Sequence, residues 1–468
     1  MLEAGPWVPD LAESDHSGLI RASGVYPISN GYRPFQDIEP ITTALADFSG
    51  GTAFVGSDGT SALLAGTATD LYRYSGTAWV SVLGTLTAGQ WQFAQFGDTA
   101  IGVHGGAPVK YDLVGGTAAA LGGTPPVAKY IAQANNFIVL AGDPSDNATV
   151  TWSGFNAAET WTSGVNQSDT DTLPDGGKIT GLIGHENYFL VFQRDAINRY
   201  DYIGVPGIFQ RTKISTGVGC IAPGSLAQAG SVIFFLSERG FMMTDGSTVD
   251  PIGNEQIDQT FFNTYQRSEL DNLTASVDPR RYLYTAAMPG EPGRLWLYKW
   301  DVKRWSDANM SLKAVFQGFT SNISLDALDA IYVGGVDTIP VSLDSPLFQG
   351  GEPRLYGVDG AGFVGPFTGE NLAAIFEWPF VEIGGQRTRL FEARPKTDAT
   401  SGMSISVDAK ARLGDEATIR TNSELRASGS MPLRTNGRYI KAKISVAAGT
   451  LWSYFQRLDL GFGAGGTR

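Results

Sequence analysis

An aromatic or apolar strand, a turn carrying Gly or Asp, and a returning strand recur seven times along this chain. The clearest copy is LYRYSGTAWVSV, Leu71 to Val82, and fainter ones begin at Ala107, Thr149, Ala196, Gly240, Arg294 and Arg354. Taking Tyr74, Tyr111, Trp152, Tyr200, Met242, Tyr298 and Tyr356 as markers, the steps are 37, 41, 48, 42, 56 and 58 residues. The early steps approach the roughly 40 to 50 residues of one propeller blade. Around the first copy, TAFVG, SALLAG, DLYRYS and AWVSV read as four short strands separated by tight turns. Such a sheet cannot bury both faces alone, so repeated copies stack radially. The chain is therefore expected to be all-β, with a β-propeller of about six or seven blades over residues 49–372 and insertions in the later units.

Composition agrees with many short strands. Gly accounts for 59 of 468 residues and charged residues for only 17%, a balance that leaves little material for helices with charged outer faces. The one persuasive helix is NEQIDQTFFNTYQRSELDNL, Asn254 to Leu273, where Ile257, Phe261, Phe262 and Tyr265 recur at helical spacing. The N-terminus lacks the basic and apolar regions of a signal peptide, and no apolar run approaches the roughly 20 residues of a membrane span, so a soluble chain is expected. A single cysteine rules out an internal disulfide.

Two segments fall outside the repeat. Residues 1–48 are Pro-rich, and Pro27, Pro34 and Pro40 have no place in a central strand, so an extended, irregular N-terminal arm lying on a surface is expected. From residue 373 onward the strands lengthen and alternate: Ile405, Val407, Ala409, Ala411 and Leu413 share one face, as do Ile440, Ala442, Ile444 and Val446. Residues 373–468 read as a C-terminal β-sandwich that docks on a partner. Charge divides the same way. The chain carries -13 overall, with 14 Lys+Arg against 9 Asp+Glu beyond residue 372 and therefore 20 against 38 before it. An acidic body argues against gripping a nucleic-acid backbone, because phosphate affinity comes from Lys and Arg displacing counterions.

Little points to a reaction. His16, His104 and His185 are widely separated, and Cys220 sits between Gly219 and Ile221 as a small buried thiol. Asp169, Asp171 and Asp175 suggest a calcium loop, but Leu173 occupies the next ligand position and no glutamate closes it. No metal, cofactor or catalytic group is expected. The main enzymatic competitor is a propeller that binds or cleaves host surface glycan, with Trp152, Trp161, Trp296, Trp300 and Trp305 as a stacking platform beside carboxylates.

Three stretches carry a family resemblance: GVYPISNGYRPFQDIEPIT from Gly24, the run from Gly181 to Gly246, and LRTNGRYIKAKISVAAGTLWSYFQRLDLGFGAG near the end. Together they resemble the tail hub or nozzle subunits of short-tailed bacteriophages, also described as packaged-DNA stabilisation proteins. The resemblance implies a structural virion protein, a propeller subunit assembling in the host cytoplasm as a ring, usually of six copies, below the portal and adaptor. Such a ring extends the DNA channel, retains the packaged genome and anchors fibre, spike or needle proteins, without catalytic residues. Double-stranded DNA would pass through it without tight binding, and an acidic bore would suit that passage. Partner contacts are expected from the arm aromatics Trp7, Tyr26, Tyr32 and Phe35, as anchors of an arm lying across the propeller or a neighbour, and from the basic Arg434, Arg438, Lys441 and Lys443 near the end.

Overall fold

Short strands broken every few residues by Gly and Asp turns close here into seven antiparallel sheets set around a ring. The computed structural model describes residues 1–13, 17–290, 293–319, 353–382 and 387–464. Blade one runs outward through Gly50–Val55, Ser61–Gly66, Leu71–Tyr74 and Trp79–Leu83, the four strands read from the sequence. The inner strands of the following blades are Gln92–Phe96, Tyr130–Ala134, Ile179–Gly184, Ala227–Ala229, Thr274–Asp278 and Leu312–Phe319. Those of blades seven, one, two, three and four lie against one another in turn, as do those of five, six and seven. Blades four and five meet through Phe192 and Phe235, whose rings are 5.3 Å apart. Where blade one meets blade seven, Thr52 Oγ1 donates to Gln317 O at 3.1 Å. The ring is a seven-bladed β-propeller.

The repeated phrase has a fixed phase in this ring. Tyr74, Tyr111, Trp152, Tyr200, Met242 and Tyr298 all stand on the third strand of their blades. Tyr356 stands on the second strand of blade seven, Pro353–Asp359, because the long step before it falls after that blade's first strand, in residues outside the described ones. The 56-residue step has a visible cause in the segment from Ile252 to Leu273 between blades five and six. That segment is not one helix. It forms the α-helix Asp258–Thr264, breaks at Tyr265 and Gln266, and resumes as the 3₁₀ turn Arg267–Asn272 under a capping box between Gln266 and Glu269. Ile257, Phe261 and Tyr265 are buried as the spacing demanded.

The arm differs most from expectation. Far from lying irregularly on a surface, it supplies strands to two sheets and an extended edge to a third. Blade seven has three strands of its own, and the arm completes it: Glu39 N–H donates to Pro366 O and Ile41 N–H to Val364 O, both at 2.9 Å, with Pro40 falling between the two donors. Arg21–Ser23 fits between the outer strand of blade six, Arg304–Ala308, and Ala374–Glu377 of the sandwich. One sheet of ten strands thus runs from the centre of the propeller to the sandwich edge at Thr418–Glu424. The hairpin Val25–Ile28 and Gly31–Pro34 joins the second sandwich sheet beside Phe455–Ala464, and Leu2–Glu3 pairs with the same strand. Pro27 is tolerated because Val25–Ile28 is an edge strand, where a missing N–H costs no ladder bond.

The sandwich is therefore built from residues 374–464 together with 2–34. Its alternation is as read for Ile405, Val407, Ala409 and for Ile440 through Val446, all buried. Ala411 and Leu413 leave the pattern, since the strand ends at Lys410 in a turn where Arg412 N–H donates to Asp415 Oδ2. One hydrophobic core runs without a break from Phe241 and Trp305 of the blades through Trp7, Val25 and Tyr32 of the arm to Ile405 and Phe455.

Gly24 is the pivot of this seam. It adopts φ 73°, and a Cβ built there would stand 2.0 Å from Ala373 O. Gly24→Ala is expected to cost about 3 kcal/mol, combining a left-handed backbone for a non-Gly residue with the displacement of a packed strand. Gly429 has φ 74° with open space around it, so Gly429→Ala carries the backbone penalty alone. Denaturant titration of both variants separates the terms, and equal losses would show that the seam is not tightly packed at Gly24.

Candidate functional site

The inner strands enclose a central cavity of about 620 Å³. Every blade contributes to its wall, from Gly51 and Thr52 through Gln92, Phe93, Ile131, Leu182, Gln228 and Ser276 to Phe316 and Gln317. No lining residue carries a charge. The polar groups are amides and hydroxyls, and the remainder is apolar or aromatic. The cavity lies within the size range of small-molecule sites and is far too small for a nucleic-acid duplex.

One mouth of this channel is crossed by the insertion between blades five and six. Gln90, on the approach to blade two, donates from Nε2 to Asp271 O at 3.0 Å. Blades two and six stand across a seven-membered ring, so the turn Arg267–Asn272 spans the opening. Its position is held from the arm: Asp10 accepts the N–H groups of Gln259 and Thr260 at 2.8 Å each and the Thr260 hydroxyl at 2.6 Å, capping the helix with a carboxylate from outside it. Phe261 then packs on Phe241 and Trp296. Asp258, the first residue of this helix, is buried, with Oδ1 accepting Phe241 N–H at 3.0 Å and Oδ2 unpartnered. Burial, offset in part by that bond and reinforced by the nearby Asp10, pushes its carboxyl up to about 7.

Of the two places expected for the arm aromatics, this chain's own propeller or a neighbour, Trp7, Tyr32 and Phe35 are found within this chain. Trp7, Tyr32 and Phe35 are 3%, 0% and 0% exposed. Trp7 stacks on Trp296 at 5.7 Å, the Tyr32 hydroxyl donates to Gly5 O at 2.8 Å, and Phe35 packs on Phe367 at 5.1 Å. Tyr26 is half-buried, with the Arg281 guanidinium 5.7 Å from its ring. The four basic candidates do not form one patch. Arg434 is on the outer face of one sandwich sheet, while Lys441 and Lys443 are on the outer face of the other. Arg438 pairs with Glu382 at 2.8 Å and Lys441 with Glu377 at 2.9 Å, and Lys443 borders a shallow serine-rich hollow with Ser406 and Glu424.

The remaining candidates are structural. His16 lies outside the described residues. His104 hydrogen-bonds through Nδ1 with Thr87 O and packs on Trp91, and His185 stacks on Tyr188. Burial pushes the Cys220 thiol up to about 11, so it stays protonated and donates to Ala222 O. The acidic run is not a free turn: Asp171 accepts from Tyr200 and Arg211, and Asp175 pairs with Lys213, tying blade three to blade four. Among the described residues no group of three His, Cys, Asp or Glu could hold a metal ion. Trp152, Trp161, Trp296 and Trp305 are all buried, and Trp300 packs on Phe234, so the tryptophans form no open platform. The channel cap went unread because Gln90 and Asp271 are 181 residues apart, and no local pattern marks that contact.

These features define a seven-bladed propeller welded to a sandwich, with a central cavity crossed at one mouth by the turn at Asp271. No protein-family model matches the chain, and no curated protein matches it. Solved structures with a related architecture include the RRP9 WD40 repeats, at 9% identity and TM-score 0.40 over 61% of this chain and 88% of that one. BamB from Moraxella catarrhalis matches at 11% identity and TM-score 0.35, over 73% and 94%. The extracellular domain of a one component system of B. thetaiotaomicron matches at 10% identity and TM-score 0.43; this chain is covered over 82% and that one over 47%. The fold assignment rests on the sheet order itself.

Proposed function

We propose that this chain is a structural virion protein, a ring-forming tail hub or nozzle subunit of a short-tailed bacteriophage. The observation that carries the reading is where the three resembling stretches lie: the arm seam, blades four and five, and the closing strands of the sandwich. They include residues of the one core that propeller and sandwich share, among them Val25, Tyr32, Phe241, Ile440 and Phe455, while Arg21–Ser23, the strand that joins the two in one ten-stranded sheet, stands just before the first stretch. A body welded in this way transmits force between its ends without hinging, as a subunit between an adaptor ring and fibre or needle proteins must.

In this reading the DNA path runs between subunits, since each propeller's own channel is too small and is crossed by the 3₁₀ turn. The bore would then be lined by outer surfaces, and in this reading these carry the excess carboxylates of residues 1–372. Heterologous contacts between acidic propeller and basic sandwich would close the ring by rotation. Sedimentation of the purified protein, alone and with its adaptor, tests this. Closed rings, usually of six copies, with no salt-sensitive affinity for double-stranded DNA are the expected result. Monomers under both conditions at high concentration would remove the ring, and DNA binding that weakens steeply with salt would remove the acidic bore.

A further inference from the structure

The central channel is a ready-made pocket that the virion role leaves unused. Its wall excludes most ligand classes on physical grounds. An ion entering it would lose its hydration against a lining with no charged partner. A purely apolar ligand would leave the amides of Gln92, Gln228 and Gln317 and the hydroxyl of Ser276 facing it unpaired. The Gln92 and Gln317 amides make no hydrogen bond among the described residues, and Gln228 uses only its Nε2, donating to Gly230 O at 3.0 Å. Half-buried Phe93 adds an aromatic ring to the same wall. Amide donors and acceptors around an aromatic ring suit a neutral ligand with many hydroxyls.

The cap adds a second constraint. Because the 3₁₀ turn Arg267–Asn272 crosses one mouth, a ligand enters from the other and cannot thread through. We propose that the channel binds the end of a neutral saccharide chain, held by Gln92, Gln228, Gln317 and Ser276, in a pocket of about 620 Å³ with the turn at Asp271 across one mouth. This site is separate from the tryptophans considered as a glycan platform, and it does not depend on ring assembly.

The test uses the full chain. Saturation-transfer NMR and calorimetry are run against a panel of neutral mono- to trisaccharides of glucose, galactose, mannose and N-acetylglucosamine, with sialyllactose as the charged control. At least one neutral sugar is expected to saturate, with affinity reduced tenfold or more in Gln92→Leu and Gln317→Leu, which keep side-chain volume, and lost in Ser276→Phe, which fills the channel. If Ser276→Phe fails to fold, the two leucine variants decide alone. Long polymers of the sugar that binds should compete in proportion to their chain ends. Absence of saturation by every neutral sugar, undiminished binding in the leucine variants, tighter binding of sialyllactose than of lactose, or competition in proportion to polymer mass would each overturn the proposal. Ring formation is read separately by sedimentation, so failure here leaves the tail-subunit reading standing.

Discussion

A chain lacking residues 1–35 is expected to lose its cooperative fold altogether, not merely its ability to assemble. Trp7, Leu19, Tyr32 and Phe35 are all buried, and at roughly 2 to 3 kcal/mol for each large side chain their removal forfeits about 10 kcal/mol. That is comparable to the whole stability of an ordinary domain. The truncation also bares two strand edges at once, Arg304–Ala308 and Ala374–Glu377, by removing Arg21–Ser23 from between them. It takes away the Asp10 cap, so the helix Asp258–Thr264 and the turn across the channel lose their anchor. Circular dichroism and thermal melts should show the sandwich unfolded and the protein aggregating. The point variant Trp7→Ala, which leaves every strand in place but opens a hole against Trp296, is expected to cost about 3 to 5 kcal/mol. A truncated protein that melted within a few degrees of the full chain would show that the arm is an ornament and that the continuous core is an error.

What could be read in advance divides along the range of the interactions. Blade strands are set by neighbours within about ten residues, so LYRYSGTAWVSV and its echoes revealed the propeller and even the phase of its third strands. Alternation in the sandwich was equally local, and Ile405 and Ile444 stand where their period placed them, paired across two strands. The arm failed because its partners are hundreds of residues away. Arg21–Ser23 pairs with Phe376 and Asp307, and the prolines that seemed to forbid strands stand where no ladder bond is lost, Pro27 in an edge strand and Pro34 at the end of Gly31–Pro34, beyond the pairing of Tyr32 with Phe455. The aromatics chosen as partner contacts show the same limit. Trp7 and Tyr32 look like anchors in sequence because they are large and sit in an irregular stretch, and anchors they are, but of this chain to itself. The basic candidates were divided by a fact of strand register, Arg434 on one sandwich face and Lys443 on the other, that a linear reading cannot supply.

Asp258 should make this protein less stable as the medium turns from acid to neutral, against the usual direction for a carboxylate. In the folded chain its carboxyl is raised from 3.8 to about 7, chiefly by burial at the first turn of the capped helix. Phe241 N–H donates to one oxygen, Gly240 and Gly253 press close enough that a Cβ on either would stand 2.0 Å from the carboxylate, and the facing charge is the carboxylate of Asp10. No cation enters this list. Below about pH 4 both folded and unfolded chains are protonated there, and the contribution to stability is complete. Between pH 4 and 7 the unfolded chain has released the proton while the folded one retains it, so stability falls with rising pH, and above 7 it levels off. Three pK units correspond to about 4 kcal/mol across the window. Exposed carboxylates such as Asp58, Asp143 and Asp245 are shifted downward by their turn hydrogen bonds and act in the opposite sense at lower pH, while buried Asp307 is shifted upward with Asp258. Asp258→Asn isolates the one group: it keeps an oxygen to accept Phe241 N–H and cannot ionise. Chemical denaturation at pH 4 and pH 8 should find the variant more stable than the parent at pH 8 by a few kcal/mol and nearly equal to it at pH 4. Parallel pH curves for the two proteins would mean that the carboxyl is hydrated in solution, and that the first turn of the helix is not packed against Gly240 and Phe241.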